Sequence, residues 1–158
     1  SLAALTEEVF CDLDPVAEKH QVRLIQTDGD CTVTGSYILL YRAVYNLVEN
    51  AIKYNRPSGS VTVSIHTAES AVLEVTDTGI GISPENQEKI FDPFYRVDKS
   101  RSRAMGGAGL GLAIAKEIME SHGGKLTAES EYGKGTTMIM WFPKERPILE
   151  YEREEQKA

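Results

Sequence analysis

Hydrophobic periodicity changes repeatedly along this chain, and the order of those changes leaves few folds open. Leu2, Leu5, Val9, Leu13 and Val16 recur at three- and four-residue steps, which predicts a helix over residues 2–20. Pro15 is expected to kink or break it near Asp14. Residues 22–26 and 31–34 then read as two short strands joined by a turn at Asp28-Gly29-Asp30. Ser36 can cap a longer helix reaching about Tyr54, with Leu40, Val44, Leu47, Val48 and Ala51 in one apolar arc. After the break at 55–59, Val61, Val63 and Ile65 alternate with polar residues, and residues 71–77 supply the second arm of a hairpin. Residues 110–122 form another amphipathic helix stopped by Gly123-Gly124, and 126–130 pairs with 136–142 across the turn at 132–135.

The sum is an α+β fold, a two-layer α/β sandwich in which helices cover one face of a mixed β-sheet. One stretch escapes the pattern. From Thr78 to Gly109 the chain is irregular, with only Pro84–Phe91 helical in character. Loops of that length are usually lids or binding segments, so residues 82–108 are expected to form a flexible lid. The domain is assigned to 1–143, and the charge-rich residues 144–158 to a flexible tail.

Charge narrows the function classes. The 158 residues carry 17 Lys+Arg against 24 Asp+Glu, a net −7 that disfavours a general nucleic-acid or membrane-surface binder. No stretch is apolar enough to span a bilayer, and no signal-peptide pattern opens the sequence. Cys11 and Cys31 read as free thiols, and His20, His66 and His122 lack metal-binding spacing.

Three segments carry chemistry. Asn46, Glu49, Asn50 and Lys53 lie opposite the apolar arc of the 36–54 helix, and Asn is a mediocre helix former. A carboxamide oxygen suits Mg²⁺, which takes its other ligands from water and phosphate. In Asp77-Thr-Gly79-Ile-Gly81, the period of two puts the carboxylate on the same face as Leu73 and Val75, aimed toward the core where a donor is needed. The glycines after it permit close backbone approach. Gly106-Gly107-Ala-Gly109-Leu-Gly111 opens the 110–122 helix, where exposed N–H groups and the helix dipole favour phosphate. It follows a loop instead of a strand, which excludes a Rossmann turn, and the Lys-Ser/Thr of a P-loop is missing. Between the glycine segments, residues 96–103 hold four cations and one anion, a net +3, leaving −10 for the rest of the chain.

Together these segments resemble the ATP-binding catalytic domain of sensor histidine kinases, the Bergerat-type fold. Asn46-Leu-Val-Glu-Asn50-Ala-Ile-Lys53-Tyr54 is similar to the family's N box, and Asp77–Gly81 to its first glycine box. Phe91-Asp-Pro-Phe-Tyr-Arg96 is similar to the F box, Gly107–Gly111 to the second glycine box and Gly133–Thr137 to a third. The resemblance implies ATP and Mg²⁺ as ligands. Asn50, helped by Asn46, would hold Mg²⁺, Lys53 would contact the phosphates, and Tyr54 would pack along the adenine. Asp77 would accept from the adenine amino group, with Gly79, Gly81 and Ile82 lining the base pocket and Thr136 near the base through water. Gly107, Gly109, Leu110, Gly111 and Leu112 would surround the phosphates, and Arg96 and Arg101 would reach the γ-phosphate.

Hydrolysing relatives carry a glutamate where this chain has Asn46, and a carboxamide cannot act as a general base, so phosphoryl transfer is expected over hydrolysis. Glu49 lies about 60° round the helix from Asn46. An ATP-hydrolysing module and a nucleotide-regulated interaction module are the rival readings. No histidine here has the family's acceptor context, so the resemblance implies a partner domain carrying dimerisation and the phosphoacceptor, and a response-regulator receiver domain beyond it. It also implies a homodimeric full-length protein, a monomeric isolated domain, and a cytoplasmic position in a membrane-anchored sensor.

Overall fold

The computed structural model describes residues 1–95 and 110–144. Helix α1 (Leu2–Lys19) starts at Ser1, whose hydroxyl accepts from the Ala4 N–H. Asp30 grips the same end, accepting from Ser1 Oγ at 2.6 Å and from the Ala3 N–H at 2.9 Å. The buried stripe of Leu2, Leu5, Thr6, Val9, Leu13 and Ala17 runs on past Pro15. The expected break near Asp14 does not occur. Pro15 removes the N–H that would meet the Cys11 carbonyl, but both residues are exposed, so water can replace the lost partner.

Strand β1 (Arg23–Gln26) pairs in parallel with β2 (Ser60–Thr67), from Arg23↔Ser60 to Gln26↔Val63. Residues 31–34 form no strand, which corrects the expected pairing across the Asp28–Asp30 turn. The Cys31 carbonyl accepts from the Leu2 N–H at 3.0 Å, and Asp30 is committed to the start of α1. That segment anchors a helix instead of extending the sheet.

Helix α2 (Tyr37–Lys53) is capped by Ser36, whose Oγ accepts from the Leu39 N–H at 3.3 Å. It buries Leu40, Ala43, Val44, Leu47, Val48, Ala51 and Ile52. Strand β3 (Ala71–Asp77) completes the antiparallel hairpin with β2, in the register Val61↔Asp77. Helix α3 (Pro84–Gln87) is a single turn, shorter than the expected 84–91. Beyond it, bonds from Lys89 to Asn86, Asp92 to Lys89 and Tyr95 to Asp92 replace helical i→i−4 bonds with turns. The Gln87 side chain meanwhile donates to the Ile82 and Ser130 carbonyls, both at 3.0 Å.

Helix α4 (Gly111–Ser121) ends where Gly123, at φ +77°, lets the Gly123 and Gly124 N–H groups turn back to the Glu120 and Met119 carbonyls at 3.0 and 2.9 Å. Strands β4 (Lys125–Glu131) and β5 (Gly135–Trp141) form the final hairpin. The sheet order is β1-β2-β3-β5-β4, parallel only between β1 and β2. Helices α1, α2 and α4 cover one face, where Val61, Val63, Ile65, Leu73, Val75, Met138 and Met140 are buried beneath them. The architecture is the expected α+β sandwich on a mixed sheet.

Two hydrogen bonds hold α2 and α4 antiparallel. The Ser36 N–H donates to His122 Nε2 at 3.0 Å at one end, and Asn46 Nδ2 donates to the Gly111 carbonyl at 3.2 Å toward the other. On the opposite flank, Tyr37 and Tyr41 donate their hydroxyls to Glu8 and Asp12 of α1. Since Pro15 donates no helical hydrogen bond and is exposed, Pro15→Ala is expected to stabilise the chain by about 1–3 kcal/mol, read from urea denaturation.

Candidate functional site

The end of α2, the loop after β3, the β4–β5 turn and the start of α4 converge at one end of the sheet. The Ile80 N–H donates to the Tyr54 carbonyl at 3.3 Å, and the Gly133 N–H donates to the Ile80 carbonyl at 2.7 Å. Asn46, Asn50 and Tyr54 stand at i, i+4 and i+8, a stripe about 12 Å long. The Asn46 end meets the first residue of α4 and the Tyr54 end meets the glycine loop. Asn46 Oδ1 and the whole Asn50 carboxamide, both half-buried, have no hydrogen-bond partner among the described residues. Lys53 sits on the flank of this stripe, paired to Glu49 at 3.3 Å with both side chains mostly shielded.

Asp77 lies on the core-facing side of β3, as its register with Val61 requires. Its Oδ1 accepts from the Gly79 N–H at 2.8 Å and the Thr136 N–H at 3.2 Å. Oδ2 has no partner among the described residues. Burial pushes this carboxyl above the ordinary carboxylate range, against the pull of the two N–H donors. Thr136 is itself buried, its hydroxyl 2.8 Å from Ser130 Oγ. Ser130 Oγ also receives the Ile82 N–H at 2.7 Å. A cavity of about 380 Å³ lies at these strand ends, lined by Thr76, Glu129 and Thr137 of the sheet's uncovered face as well as by Asp77, Ser130 and Thr136.

The glycines divide into two kinds. A Cβ on Gly79 would collide with the Tyr54 carbonyl, and one on Gly81, at φ +71°, with the Glu131 carbonyl. Both are therefore required by the protein's own packing, which qualifies the reading that they serve a ligand's approach. Gly111 is different: among the described residues, a Cβ there would find nothing closer than Asn46 Cβ at 3.8 Å. The described residues leave room at the start of α4, beside Asn46 Oδ1, where the helix dipole favours an anion.

Residues 35–146 match the family described as histidine kinase-, DNA gyrase B-, and HSP90-like ATPase. The chain belongs to that family. It is 47% identical over 140 residues to the sensor histidine kinase RppB of Synechocystis sp., covering 88% of this chain and 30% of that protein. The solved mycobacterial sensor histidine kinase MprB superimposes with a TM-score of 0.73 at 31% identity, covering 87% of this chain and 93% of that one. Histidine kinase ThkA, solved in complex with response regulator protein TrrA, superimposes with a TM-score of 0.74 at 26% identity over 92% of this chain and 41% of that one. The chain spans less than a third of the curated relative's length. It is an ATP-binding catalytic domain of the sensor histidine kinase type.

In this kinase-type domain the structure brings Asn46, Asn50, Lys53, Tyr54, Asp77, Gly79, Gly81, Gly111 and Thr136 to one end of the sheet. Ile82 and Leu112 are partly buried against the core, and Leu110 caps α4. Arg96, Arg101, Gly107, Gly109, the basic run at 96–103 and the tail from 145 lie outside the described residues. The aromatic segment separates into distinct roles. Phe91 packs against the core with Lys116 Nζ 5.6 Å from its ring centre, whereas Phe94 is 70% exposed at φ +65°.

Sequence reasoning missed Ser130, Gln87 and Arg56, which tie the site's loops together. Each is an ordinary polar residue outside the motifs, and only tertiary contacts reveal its work. The raised carboxyl of Asp77 has a consequence for stability. A carboxyl that titrates higher when folded favours folding below its unfolded pKa of 3.8 and loses that contribution as pH rises through the folded value. Asp77→Asn keeps an acceptor for both N–H groups and removes the buried charge. It is expected to melt above the unmodified chain at pH 7, with the difference closing as the pH falls toward 3.8 in calorimetric scans.

Proposed function

We propose that this domain presents ATP·Mg²⁺ to a histidine on a separate helical domain and catalyses transfer of the γ-phosphoryl group, which then passes to a response-regulator receiver domain. Asn46 carries the reading. Its carboxamide cannot abstract a proton, and it donates to Gly111 O, while the nearest acid on the helix, Glu49, is engaged by Lys53. That arrangement supports transfer to a side chain over activation of water. The ThkA–TrrA complex supports a receiver domain as the downstream partner.

Asp77 Oδ2 accepts from the adenine amino group, Tyr54 packs along the ring, and Gly79, Gly81, Ile82 and Thr136 complete the base pocket. Asn50 and Asn46 offer the hard oxygens that Mg²⁺ selects, and the lack of partners for those oxygens among the described residues fits that role. Mg²⁺ would neutralise phosphate charge as the γ-phosphoryl departs. Lys53 contacts the phosphates from its place beside Glu49, and Gly107 and Gly109, with Leu110, Gly111 and Leu112 at the start of α4, surround them. Arg96 and Arg101 bring further positive charge to the γ-phosphate. Catalysis in this scheme is positioning and charge stabilisation.

The wider assignment follows the same reading. Residues 1–143 act as the catalytic domain, with 82–108 as its lid and 144–158 as a tail. The acceptor histidine belongs to a dimerisation domain of the full-length protein, a homodimer anchored in a membrane with this domain, monomeric when isolated, on the cytoplasmic side. No helix among the described residues is long and apolar enough to cross a membrane. Neither nucleic acid nor a lipid surface is a partner of the acidic domain itself.

Asn50→Ala is expected to abolish the Mg²⁺-dependent part of ATP binding in calorimetry while the circular dichroism spectrum stays unchanged. Undiminished Mg²⁺ dependence would remove Asn50 from the metal site. Incubated alone with γ-labelled ATP, the chain is expected to acquire no phosphohistidine. Acid-labile label on His20, His66 or His122 would overturn the need for a separate acceptor domain, and steady phosphate release lost on Glu49→Gln would favour hydrolysis.

A further inference from the structure

Arg56 follows α2 by three residues and belongs to none of the segments assigned above. One nitrogen of its guanidinium, Nη2, donates both to the Gly79 carbonyl at 3.1 Å and to the Gly133 carbonyl at 2.9 Å. These carbonyls belong to separate loops: Gly79 follows β3, and Gly133 lies in the β4–β5 turn. Asp77 is held between the same two walls, by the Gly79 N–H on one side and the Thr136 N–H on the other. A guanidinium thus spans the walls that orient the carboxylate.

The need for such a clamp follows from the composition of the loop. Glycines at 79 and 81 are demanded by close contacts with Tyr54 and Glu131 carbonyls, yet glycine is the residue least able to hold its own backbone in one conformation. The peptide between Gly79 and Ile80 is held from both sides. Its N–H donates to the Tyr54 carbonyl at 3.3 Å, and its C=O accepts from Arg56. The Gly133-to-Ile80 bond at 2.7 Å keeps loop and turn together without Arg56, but leaves the Gly79 carbonyl unheld. Arg56 is itself fixed at the backbone, where its N–H donates to Asn55 Oδ1 at 2.9 Å and its carbonyl accepts from the Gly59 N–H at 3.0 Å. Buried Asn55 also bonds Ser60 and Thr78, so the clamp stands on a rigid turn.

We infer that Arg56 is a positioning residue for base recognition, holding the Gly79 peptide so that Asp77 keeps Oδ2 facing the purine. The inference rests on the assignment of Asp77 to the adenine amino group. Because Arg56 acts through Asp77, its loss should weaken nucleotides that use the amino group and spare those that do not.

The test measures ATP and GTP affinities by calorimetry for the unmodified chain and for Arg56→Ala, Arg56→Lys and Asp77→Asn, with thermal midpoints for each. Arg56→Ala is expected to weaken ATP about five- to tenfold, leave GTP nearly unchanged and so compress the ATP-over-GTP ratio. Arg56→Lys, which keeps a donor of similar reach, should recover at least half of that ratio. Equal weakening of both nucleotides with a lowered midpoint, or no recovery in Arg56→Lys, would reduce Arg56 to a structural tie and overturn the inference. An unchanged ratio in Arg56→Ala alongside a collapsed one in Asp77→Asn would reject Arg56 and keep the adenine assignment. An unchanged ratio in Asp77→Asn would reject the assignment itself.

Discussion

Burial of one face of α2 governs the rest of this structure. Its stripe from Leu40 to Ile52 sits on the centre of the sheet and is nearly inaccessible to water, so the helix has no rotational freedom. Once that face is buried, Asn46, Asn50 and Tyr54 are committed to the opposite rim. The helix also serves as the shared wall for its neighbours. Tyrosine hydroxyls tie it to α1, and the His122 and Asn46 contacts tie it to α4 at two separated points. A change in the packing beneath α2 would therefore displace both ends of the site together.

The second organising feature is a buried carboxylate held by backbone. Asp77 loses hydration at the end of β3 and recovers only part of that loss from two N–H donors on one oxygen. The surrounding loops are correspondingly well tied. Gln87, Ser130 and Arg56 each bridge the β3 loop to the β4–β5 hairpin, so the glycine segment gains from tertiary contacts the rigidity it lacks locally. A site of this kind accepts a stability penalty in exchange for an oriented acceptor.

Where the chain's own pattern was legible, it was legible for a local reason. The α2 arc, the 61–65 and 71–77 alternation and the Gly123-Gly124 stop each depend on neighbouring residues, and each appears where periodicity puts it. Asp77 was readable in the same way, because the period of two carries its direction over from Leu73 and Val75. The misreadings share a cause as well. Residues 31–34 look like a strand until α1 takes the Cys31 carbonyl and Asp30, contacts made across nearly thirty residues of chain. Pro15 looks like a break until its neighbours are found to face water. Pro84–Phe91 looks like a longer helix until Gln87 bonds to Ile82 and to Ser130 of β4.

By itself the sequence determined most of the element order and the fold class, and marked candidate groups for the site, because periodicity, capping and motif spacing act over a few residues at a time. Tertiary structure decided how those groups are held. It showed that Gly79 and Gly81 are demanded by facing carbonyls, that Lys53 rests on Glu49, and that an unremarkable Arg56 reaches two loops at once. Those outcomes depend on groups distant in sequence being brought within hydrogen-bond range, and no local pattern encodes such distances.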